Sequence, residues 1–228
     1  RSSDKLCIRL QFDHKMYKEI KLAQVNAKYF IQVTKHEYFR GNFDILQFVM
    51  EFFKYKNKLK PEKGRLLISE PFLPDPNFER TVVLLCEHND DGSFGFVINK
   101  PSILKVNDVI EDIRAMEDIV FVGGPVQQDT LHFLHRNTPV ENAVKIQEGI
   151  FWGGTFESLM VELDTGRLKT SDIRFYLGYS GWGQGQLDRE LEEDSWIVCD
   201  FVTDELLFDT DPSLIWKKAL GGMGGRFS

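Results

Sequence analysis

The chain has 228 residues, of which 42% are hydrophobic and 28% are charged, the ordinary balance of a folded globular protein. This length accommodates one large domain, or one domain with an appendage. No apolar run approaches the ~18 residues that a membrane-spanning helix needs, and the N-terminus lacks a cleavable leader pattern. The sequence therefore favours a soluble, cytoplasmic protein without a membrane partner.

Charge is distributed unevenly along the chain. Residues 1–63 contain 14 Lys and Arg against 7 Asp and Glu, whereas residues 64–228 contain 14 against 28. A basic segment on an acidic body binds nucleic acid or a membrane surface in some proteins, and in others it is solvated or lies against its own acidic partner. We divide the chain into an N-terminal extension (1–49) that need not be native, a basic linker or arm (50–63) and one main domain (64–228).

The main domain begins with short apolar segments separated by turn signals. LLISEPFL and TVVLLCEH have the character of strands, and NDDGS, in which an Asp-Gly pair supplies positive φ, leads into the returning strand FGFVINK. These segments predict a β-hairpin. Asn107 is expected to cap a helix through VNDVIEDIRAME, and IVFVGG and TLHFLHR are expected to form strands.

The second half of the main domain continues the same mixture of strands and helices. KIQEGIFWGG predicts a strand or hairpin, and Thr155 is expected to cap a helix through FESLMVELDTG. IRFYLGYS and SWIVCDFV predict strands, with a glycine-rich loop and the helix QLDRELEED between them. Asp211 and Pro212 are expected to begin the helix PSLIWKKAL. Because strands outnumber helices without regular βαβ alternation, the pattern predicts an α+β fold.

The glycine-rich stretch GYSGWGQGQ permits three interpretations. A strand, a glycine turn and a helix N-terminus suit a phosphate, but the pattern matches no phosphate-binding loop and the following helix is strongly acidic. A second interpretation is structural, with the glycines allowing Trp182 to pack as a lid. In the third, Tyr179, Ser180, Trp182 and Gln186 line a cleft for a neutral or peptide-like ligand. The structural and recognition interpretations both stay open.

Catalytic and metal-binding patterns are sparse. The VGGPV segment suits a strand-ending turn, and it also suits an oxyanion hole formed by the amides of Gly123 and Gly124. His132 and His135 lie three residues apart on one predicted strand, so they face opposite sides and make poor co-ligands for one metal. The residues therefore predict no metal site, no cofactor and no catalytic constellation.

Several long motifs resemble the bacterial YqgE/AlgH family. They are GRLLISEPFLPDPNFERTVVLLCEHNDDGSFGFVINKP, FVGGPV, LHFLH, IFWGGTF and RFYLGYSGWGQGQLDRELEEDSWIV, in this order between Gly64 and the C-terminal GGMGG. The resemblance implies a single α+β domain in which a bifurcated, mostly antiparallel sheet forms a pseudo-barrel with helices packed around it. Some members are described as candidate transcriptional regulators, which implies a role in gene expression but no DNA-reading element. The resemblance carries over no catalytic residue and no cofactor.

We therefore expect a non-enzymatic binding or regulatory domain that recognises a protein or a small-molecule ligand. The alternatives are a hydrolase-like or transferase-like enzyme that uses the GGPV turn and His135, and a direct DNA-binding regulator, which the acidic body disfavours. A cleft is expected where the FVINKP strand end, the GGPV turn and the GYSGWGQGQ stretch converge. Its candidate residues are Asn99, Gly123, Gly124, His135, Tyr179, Trp182 and Gln186.

Overall fold

The computed structural model describes residues 57–224, apart from 71, 72, 74, 76, 111, 112, 114 and 115. The predicted N-terminal extension (1–49) lies outside these residues, and the division into extension, linker and main domain stays a prediction. Within the described residues, no helix combines the length and the apolar character needed to cross a membrane.

Ten strands make up most of the regular structure in the described part of the chain. Their bounds are β1 Leu66–Ser69, β2 Val82–Asn89, β3 Gly92–Val97, β4 Pro101–Lys105, β5 Ile119–Val122, β6 Val126–Arg136, β7 Val144–Gln147, β8 Ile150–Trp152, β9 Ile173–Gly183 and β10 Trp196–Cys199. All four residues of β1 are fully buried, as are the first four of β2. Burial on both faces explains why these strands appear in the sequence as nearly continuous apolar runs.

The helices are short and lie between or after the strands. Their bounds are α1 Val106–Val109, α2 Phe156–Asp164, α3 Gln186–Glu192 and α4 Pro212–Gly222, with a 3₁₀ turn at Thr170–Asp172 and a π-helical turn at Glu205–Asp209. The Thr155 side chain accepts a hydrogen bond from the Ser158 amide, and the Asp211 side chain accepts one from the Ser213 amide. Both predicted N-caps are therefore confirmed.

The strands form one open sheet that forks at β9. The main path runs β10-β1-β2-β3-β9-β6-β8-β7, and a branch made of β4 and β5 joins it at β9. Among the described strands, β5 and β9 form the one parallel pair. The last strand of this path, β7, lies close to the residues that precede β1. A Cβ atom on Gly64 would lie 3.4 Å from the carbonyl oxygen of Ile146 in β7. The structure confirms the predicted α+β class and the bifurcated, mostly antiparallel sheet.

Residues 181–183, the GWG part of the predicted glycine-rich loop, instead extend the predicted strand IRFYLGYS to form β9. It pairs with β3 from Ser180, opposite Gly95, to Gly183, opposite Gly92. Gly178 has φ +64°, and a Cβ atom there would lie 2.6 Å from the Val126 carbonyl oxygen. The loop prediction was wrong because glycine in a strand also marks a close approach of two backbones.

The predicted β2–β3 hairpin is confirmed, but its turn is displaced by one residue. Asn89 pairs with Gly92, so Asp90 and Asp91 occupy the turn and Gly92 begins β3. Gly92 has φ +147°, and a Cβ atom there would lie 2.3 Å from the Trp182 carbonyl oxygen. This glycine is therefore required by the neighbouring strand rather than by the turn.

The predicted cap at Asn107 was wrong, because α1 begins one residue earlier, at Val106. The Asp108 carboxylate accepts a hydrogen bond from the Lys105 amide at 2.8 Å. The N-cap is Lys105, and this bond fixes the start of the helix from inside its first turn. It runs in the opposite direction to the cap expected at Asn107, whose side chain would have accepted from an amide further along the helix.

Two apolar clusters pack against the sheet. In the first, Leu159 of α2 packs with Phe133 of β6 and Phe175 of β9. The second, called here the tryptophan core, consists of Leu67, Val83, Leu85, Val97, Trp182, Leu187, Trp196 and Val198. Since β9 contributes to both clusters, this strand links the two halves of the domain.

β10 ends the main sheet path, and its outer side is bonded by a side chain. Asn57 Nδ2 donates to the Trp196 carbonyl oxygen at 2.8 Å, and the Val198 amide donates to Asn57 Oδ1 at 2.7 Å. The Asn57 amide thus takes the place of a peptide group of a neighbouring strand. Such a cover protects a sheet edge from pairing with another chain.

Arg136, at the end of β6, holds the C-terminal π-helical turn on the sheet. Its Nη atoms donate to both oxygens of Asp209 at 2.7 and 3.0 Å, and Nε donates to Asp172 Oδ1 at 2.9 Å. The side chain of Arg136 is 15% exposed, and its guanidinium lies over the Phe208 ring. Hydrogen bonds from Arg136 hold the pKa of Asp209 below its usual range.

Replacing Arg136 with lysine is expected to lower the free energy of unfolding by about 1–3 kcal/mol, since lysine cannot reproduce the bidentate bond to Asp209. Urea unfolding monitored by circular dichroism measures this loss. Arg167→Lys is the matched control, because Arg167 forms an exposed pair with Glu162 and should change stability much less. Equal effects of the two substitutions would show that Arg136 does not clamp the C-terminal segment.

Candidate functional site

Trp182, the central residue of the predicted cleft, is a core residue. Its indole is 5% exposed, and its Nε1 donates to Glu190 Oε2 at 2.8 Å. Trp196 Nε1 donates to the same oxygen at 2.7 Å, and the two indoles meet edge to face with centroids 5.8 Å apart. One carboxylate on α3 therefore fixes tryptophans from β9 and β10.

Gln186 belongs to the same network. Its Nε2 donates to Glu190 Oε1 at 2.9 Å, and its Oε1 accepts a hydrogen bond from the Gly183 amide at 3.1 Å. Both ends of the Gln186 amide are thus engaged in joining the start of α3 to the end of β9. Gln186 therefore bonds neighbouring backbone at Gly183 as well as the Glu190 side chain.

The VGGPV turn is tightly bonded to β9 beneath it. The Gly123 amide donates to the Leu177 carbonyl oxygen at 2.8 Å, and the Ser180 hydroxyl donates to the Gly123 carbonyl oxygen at 3.2 Å. A Cβ atom on Gly124 would lie 2.2 Å from the Tyr179 carbonyl carbon. These glycines let two backbones cross, and the Gly123 amide already has an acceptor, so it does not serve as an oxyanion-hole donor.

His135 is fully buried on β6, and both of its ring nitrogens face carbonyl oxygens. Nδ1 lies 3.0 Å from the Thr138 oxygen, and Nε2 lies 3.1 Å from the Gly153 oxygen. A neutral imidazole carries one N–H and can donate to only one of them. Burial lowers the pKa of His135. The ring joins the loops that follow β6 and β8, at the opposite end of β6 from the VGGPV turn.

Asn99 lines a cavity of about 300 Å³ between the end of the FVINKP segment and the VGGPV turn. Its Oδ1 accepts a hydrogen bond from the Val82 amide at 2.9 Å, and its Nδ2 donates to the Arg80 carbonyl oxygen at 2.9 Å. We call this space the polar cavity; among the residues that line it are Asn77, Asn99, Lys100, Gly124, Pro125 and Gln128. Asn99 therefore has a structural role at its edge.

A shallow groove of about 480 Å³ lies over β2, β3 and the second half of β9. Two rows of directly paired residues cross it. The first row is Glu87, Phe94 and Gly181, and the second is Asn89, Gly92 and Gly183. Directly paired residues on neighbouring strands point to the same face of a sheet. Two of the lining residues in these rows, Gly92 and Gly181, carry no side chain, and Gly183 beside them carries none either.

Gly183 is the position where the fold does not require glycine. Its φ lies outside the left-handed region, and a Cβ atom there would meet nothing within 4 Å. Gly181 differs, since a Cβ atom there would lie 3.1 Å from the Tyr179 ring. Glycine in a strand weakens it relative to almost any other residue. Gly183 pairs with Gly92, which lines the groove, so no side chain projects from this position beside the groove.

The groove has aromatic walls and an acidic rim. The rings of Phe94 and Tyr179 meet edge to face with centroids 5.2 Å apart. Glu87, Asn89 and Asp91 form the exposed rim. Asn89 orients both carboxylate positions, because its Nδ2 donates to Glu87 Oε1 at 2.7 Å and its Oδ1 accepts from the Asp91 amide at 2.9 Å. The described lining includes two carboxylates and no basic side chain.

The predicted cleft residues are thus divided between different places. Asn99 and Gly124 line the polar cavity, while Tyr179 and Trp182 line the groove. Gly123, His135 and Gln186 line neither. In the described part of the chain, no group of three or more His, Cys, Asp or Glu residues is placed to hold a metal ion.

Four residues that line the groove were not predicted from the sequence, namely Glu87, Asp91, Phe94 and Gly181. A period-two pattern in GYSGWG was the available signal, since it separates Tyr179, Gly181 and Gly183 from Ser180 and Trp182. Treating the stretch as a loop concealed that alternation.

The fold and the groove define a mixed α/β domain with an open, forked antiparallel sheet and a surface cleft on its central strands. The AlgH-like family model matches residues 66–228. The chain therefore belongs to the AlgH-like family, which confirms the resemblance seen in its motifs.

Individual relatives agree with this family membership. A UPF0301 protein of Cytophaga hutchinsonii is 47% identical over 167 residues, which cover 72% of this chain and 91% of that protein. A UPF0301 protein of Chlorobaculum tepidum is 44% identical over 170 residues, covering 74% and 89%. The solution structure of the AlgH protein from Pseudomonas aeruginosa matches with a TM-score of 0.61 and 29% identity, covering 75% of this chain and 94% of that one.

Glu190→Ala is expected to lower the free energy of unfolding by about 2–4 kcal/mol, because two largely buried indole N–H groups lose their acceptor. Glu190→Gln keeps an acceptor oxygen and should lose less. Urea unfolding followed by tryptophan fluorescence measures both effects. Glu192→Ala, an exposed position on the same helix, is the control, and a Glu190→Ala loss no larger than the control would contradict this role of the carboxylate.

His135 is expected to make stability depend on pH. Its pKa in the folded protein lies below the unfolded value of about 6.5, so the unfolded chain binds more protons and stability rises with pH. The free energy of unfolding should be level above about pH 7 and should fall as the pH drops through about 6.5.

Urea unfolding at pH 7.5 and 5.5 tests this dependence with the His135→Asn variant. The variant should show a smaller difference between the two pH values, with a remainder from His132, whose pKa burial also lowers. An undiminished difference would show that the buried imidazole is not responsible.

Proposed function

We propose that the protein is a cytoplasmic, non-enzymatic binding domain that recognises a partner protein in the groove over β3 and β9. The observation that carries this proposal is Gly183, a strand position paired with the groove-lining Gly92, which has no side chain although the fold permits one. The aromatic walls beside it, Phe94 and Tyr179, are of the residue class enriched in protein interfaces. A regulatory role would then be exerted through the partner.

The positions of the candidate catalytic groups favour binding over the enzyme alternative. The Gly123 amide donates to Leu177, and His135 is fully buried with both ring nitrogens against carbonyl oxygens. A general base needs to come within hydrogen-bond reach of its substrate. The GGPV turn and His135 lie at opposite ends of β6, so they do not form one site.

Charge favours a protein partner over DNA. Residues 64–228 contain 14 Lys and Arg against 28 Asp and Glu, and the groove rim adds Glu87 and Asp91. Duplex DNA is bound through its phosphates, so an acidic surface repels it. Direct DNA binding by this domain is therefore not proposed.

A photo-crosslinking amino acid in place of Tyr179 tests the groove directly. In a bacterial lysate it should form a discrete crosslinked product, because position 179 forms the groove wall. The same amino acid in place of Val161, which is 52% exposed on α2 and does not line the groove, should not form that product. Identical products from both positions would contradict the proposal.

Gly183→Val is the matched blocking variant. Its branched side chain projects beside the groove-lining Gly92 and suits a strand, so the fold should be retained while the Tyr179 crosslink falls at least tenfold. The thermal unfolding midpoint serves as the control for folding. A crosslink of full strength in a folded Gly183→Val protein would show that partner recognition does not use the groove.

A further inference from the structure

We propose that the groove binds an extended, basic segment of its partner, with a Lys or Arg side chain placed over the Phe94 and Tyr179 rings. This inference rests on the proposed function and names the class of partner that the same groove takes.

Charge complementarity is the first support. Glu87 and Asp91 stand on one rim, held in place by hydrogen bonds to Asn89, and the described lining carries no basic side chain that would neutralise them. A cationic side chain that enters the groove meets both carboxylates, whereas an acidic or phosphorylated segment is repelled by them.

The aromatic walls are the second support. A Lys or Arg cation is attracted to the face of an aromatic ring within about 6 Å of its centroid. Phe94 also packs against Trp152 with ring centroids 4.7 Å apart, so the wall is backed by a further aromatic side chain. The long aliphatic stem of Lys or Arg covers apolar surface while its charged end reaches the rim. This combination suits a basic side chain better than a neutral one.

The strand pairing determines how the segment lies. At the groove, β9 is bonded to β3 on one side, and Tyr179 pairs with Val126 of β6 on the other. The described pairing of β6 with β9 ends at Tyr179, and beyond it the Gly183 amide donates to Gln186 Oε1. In the proposed mode the occupant lies across the face of the sheet, and recognition comes from side chains placed on that face. Gly181 and Gly183 are two residues apart, about 7 Å along a strand. Alternate side chains of an extended segment have the same spacing, so successive side chains can enter above the two glycines.

Matched peptide pools test this inference on the full chain. The first pool contains nine-residue peptides with Lys or Arg at alternate positions, and the second carries Gln at those positions. Titration of the isotopically labelled protein, followed by NMR, should shift the amide signals of Gly181 and Gly183 with the basic pool. Fluorescence anisotropy should show tighter binding of the basic pool, with an affinity that falls as salt is raised.

Removing the rim charges should weaken that binding. Glu87→Gln combined with Asp91→Asn is expected to reduce affinity by roughly 2- to 30-fold, the range that two exposed ion pairs supply. Glu157→Gln combined with Asp164→Asn removes two exposed charges on α2 and should change the affinity by less than twofold. An equal effect of the two double variants would overturn the assignment of the rim.

The remaining outcomes separate this inference from the proposed function. Equal affinity for the basic and Gln pools, or no shift at Gly181 and Gly183 while the Tyr179 crosslink persists, overturns the basic class and leaves the binding groove in place. If the Tyr179 crosslink is absent in addition to either of these outcomes, the proposed function is contradicted too. Analytical ultracentrifugation tests a further occupant, a second copy of the chain. If the chain dimerises with rising concentration and Gly183→Val abolishes the dimer, the groove binds another copy and the inference is overturned.

Discussion

The Glu190 carboxylate is the contact on which the rest of this structure depends. It accepts hydrogen bonds from the indoles of Trp182 and Trp196 and from the Gln186 amide, so one side chain ties together the end of β9, the start of β10 and the helix between them. An ionised acceptor forms stronger hydrogen bonds than a neutral one. By holding the Trp182 indole in the tryptophan core, it determines which way this part of β9 faces, and strand alternation then turns Gly181 and Gly183 outward.

The glycines of this region consequently have different roles. Gly178 and Gly124 allow backbones to cross, and Gly92 avoids the Trp182 carbonyl oxygen, so each is required by the fold. Gly183 faces open space and is not required by it. A single motif therefore contains both residues that build the sheet crossing and a residue that the fold does not require to be glycine. The short distance between these roles explains why the motif resembles a loop when it is examined as sequence.

Local patterns predicted those elements whose physics is local. The β2–β3 hairpin, the Thr155 and Asp211 caps and the α+β class follow from turn chemistry and periodicity within about ten residues. The strand Pro101–Lys105 was missed because it is exposed and begins with proline, and the π-helical turn has no sequence signature.

The groove was also missed, since the pairing of Phe94 with Gly181 joins segments that are far apart in sequence. The burial of Trp182 likewise depends on a partner, Glu190, on the following helix. Of the aromatic and amide residues selected from sequence, Trp182 and Gln186 share one hydrogen-bond network with Glu190. Tyr179 lies in the groove and Asn99 at the polar cavity.

The most direct measurement compares the free energies of unfolding of Gly178→Ala and Gly183→Ala. Both substitutions add one methyl group to the same strand, and only the environment differs. Gly178→Ala should destabilise the protein by roughly 1–3 kcal/mol, since φ is positive and the new Cβ meets the Val126 carbonyl oxygen. Gly183→Ala should leave stability unchanged or raise it by up to about 1 kcal/mol. A loss at Gly183 as large as that at Gly178 would mean that the fold requires both glycines, and it would remove the observation on which the proposed binding role of Gly183 rests.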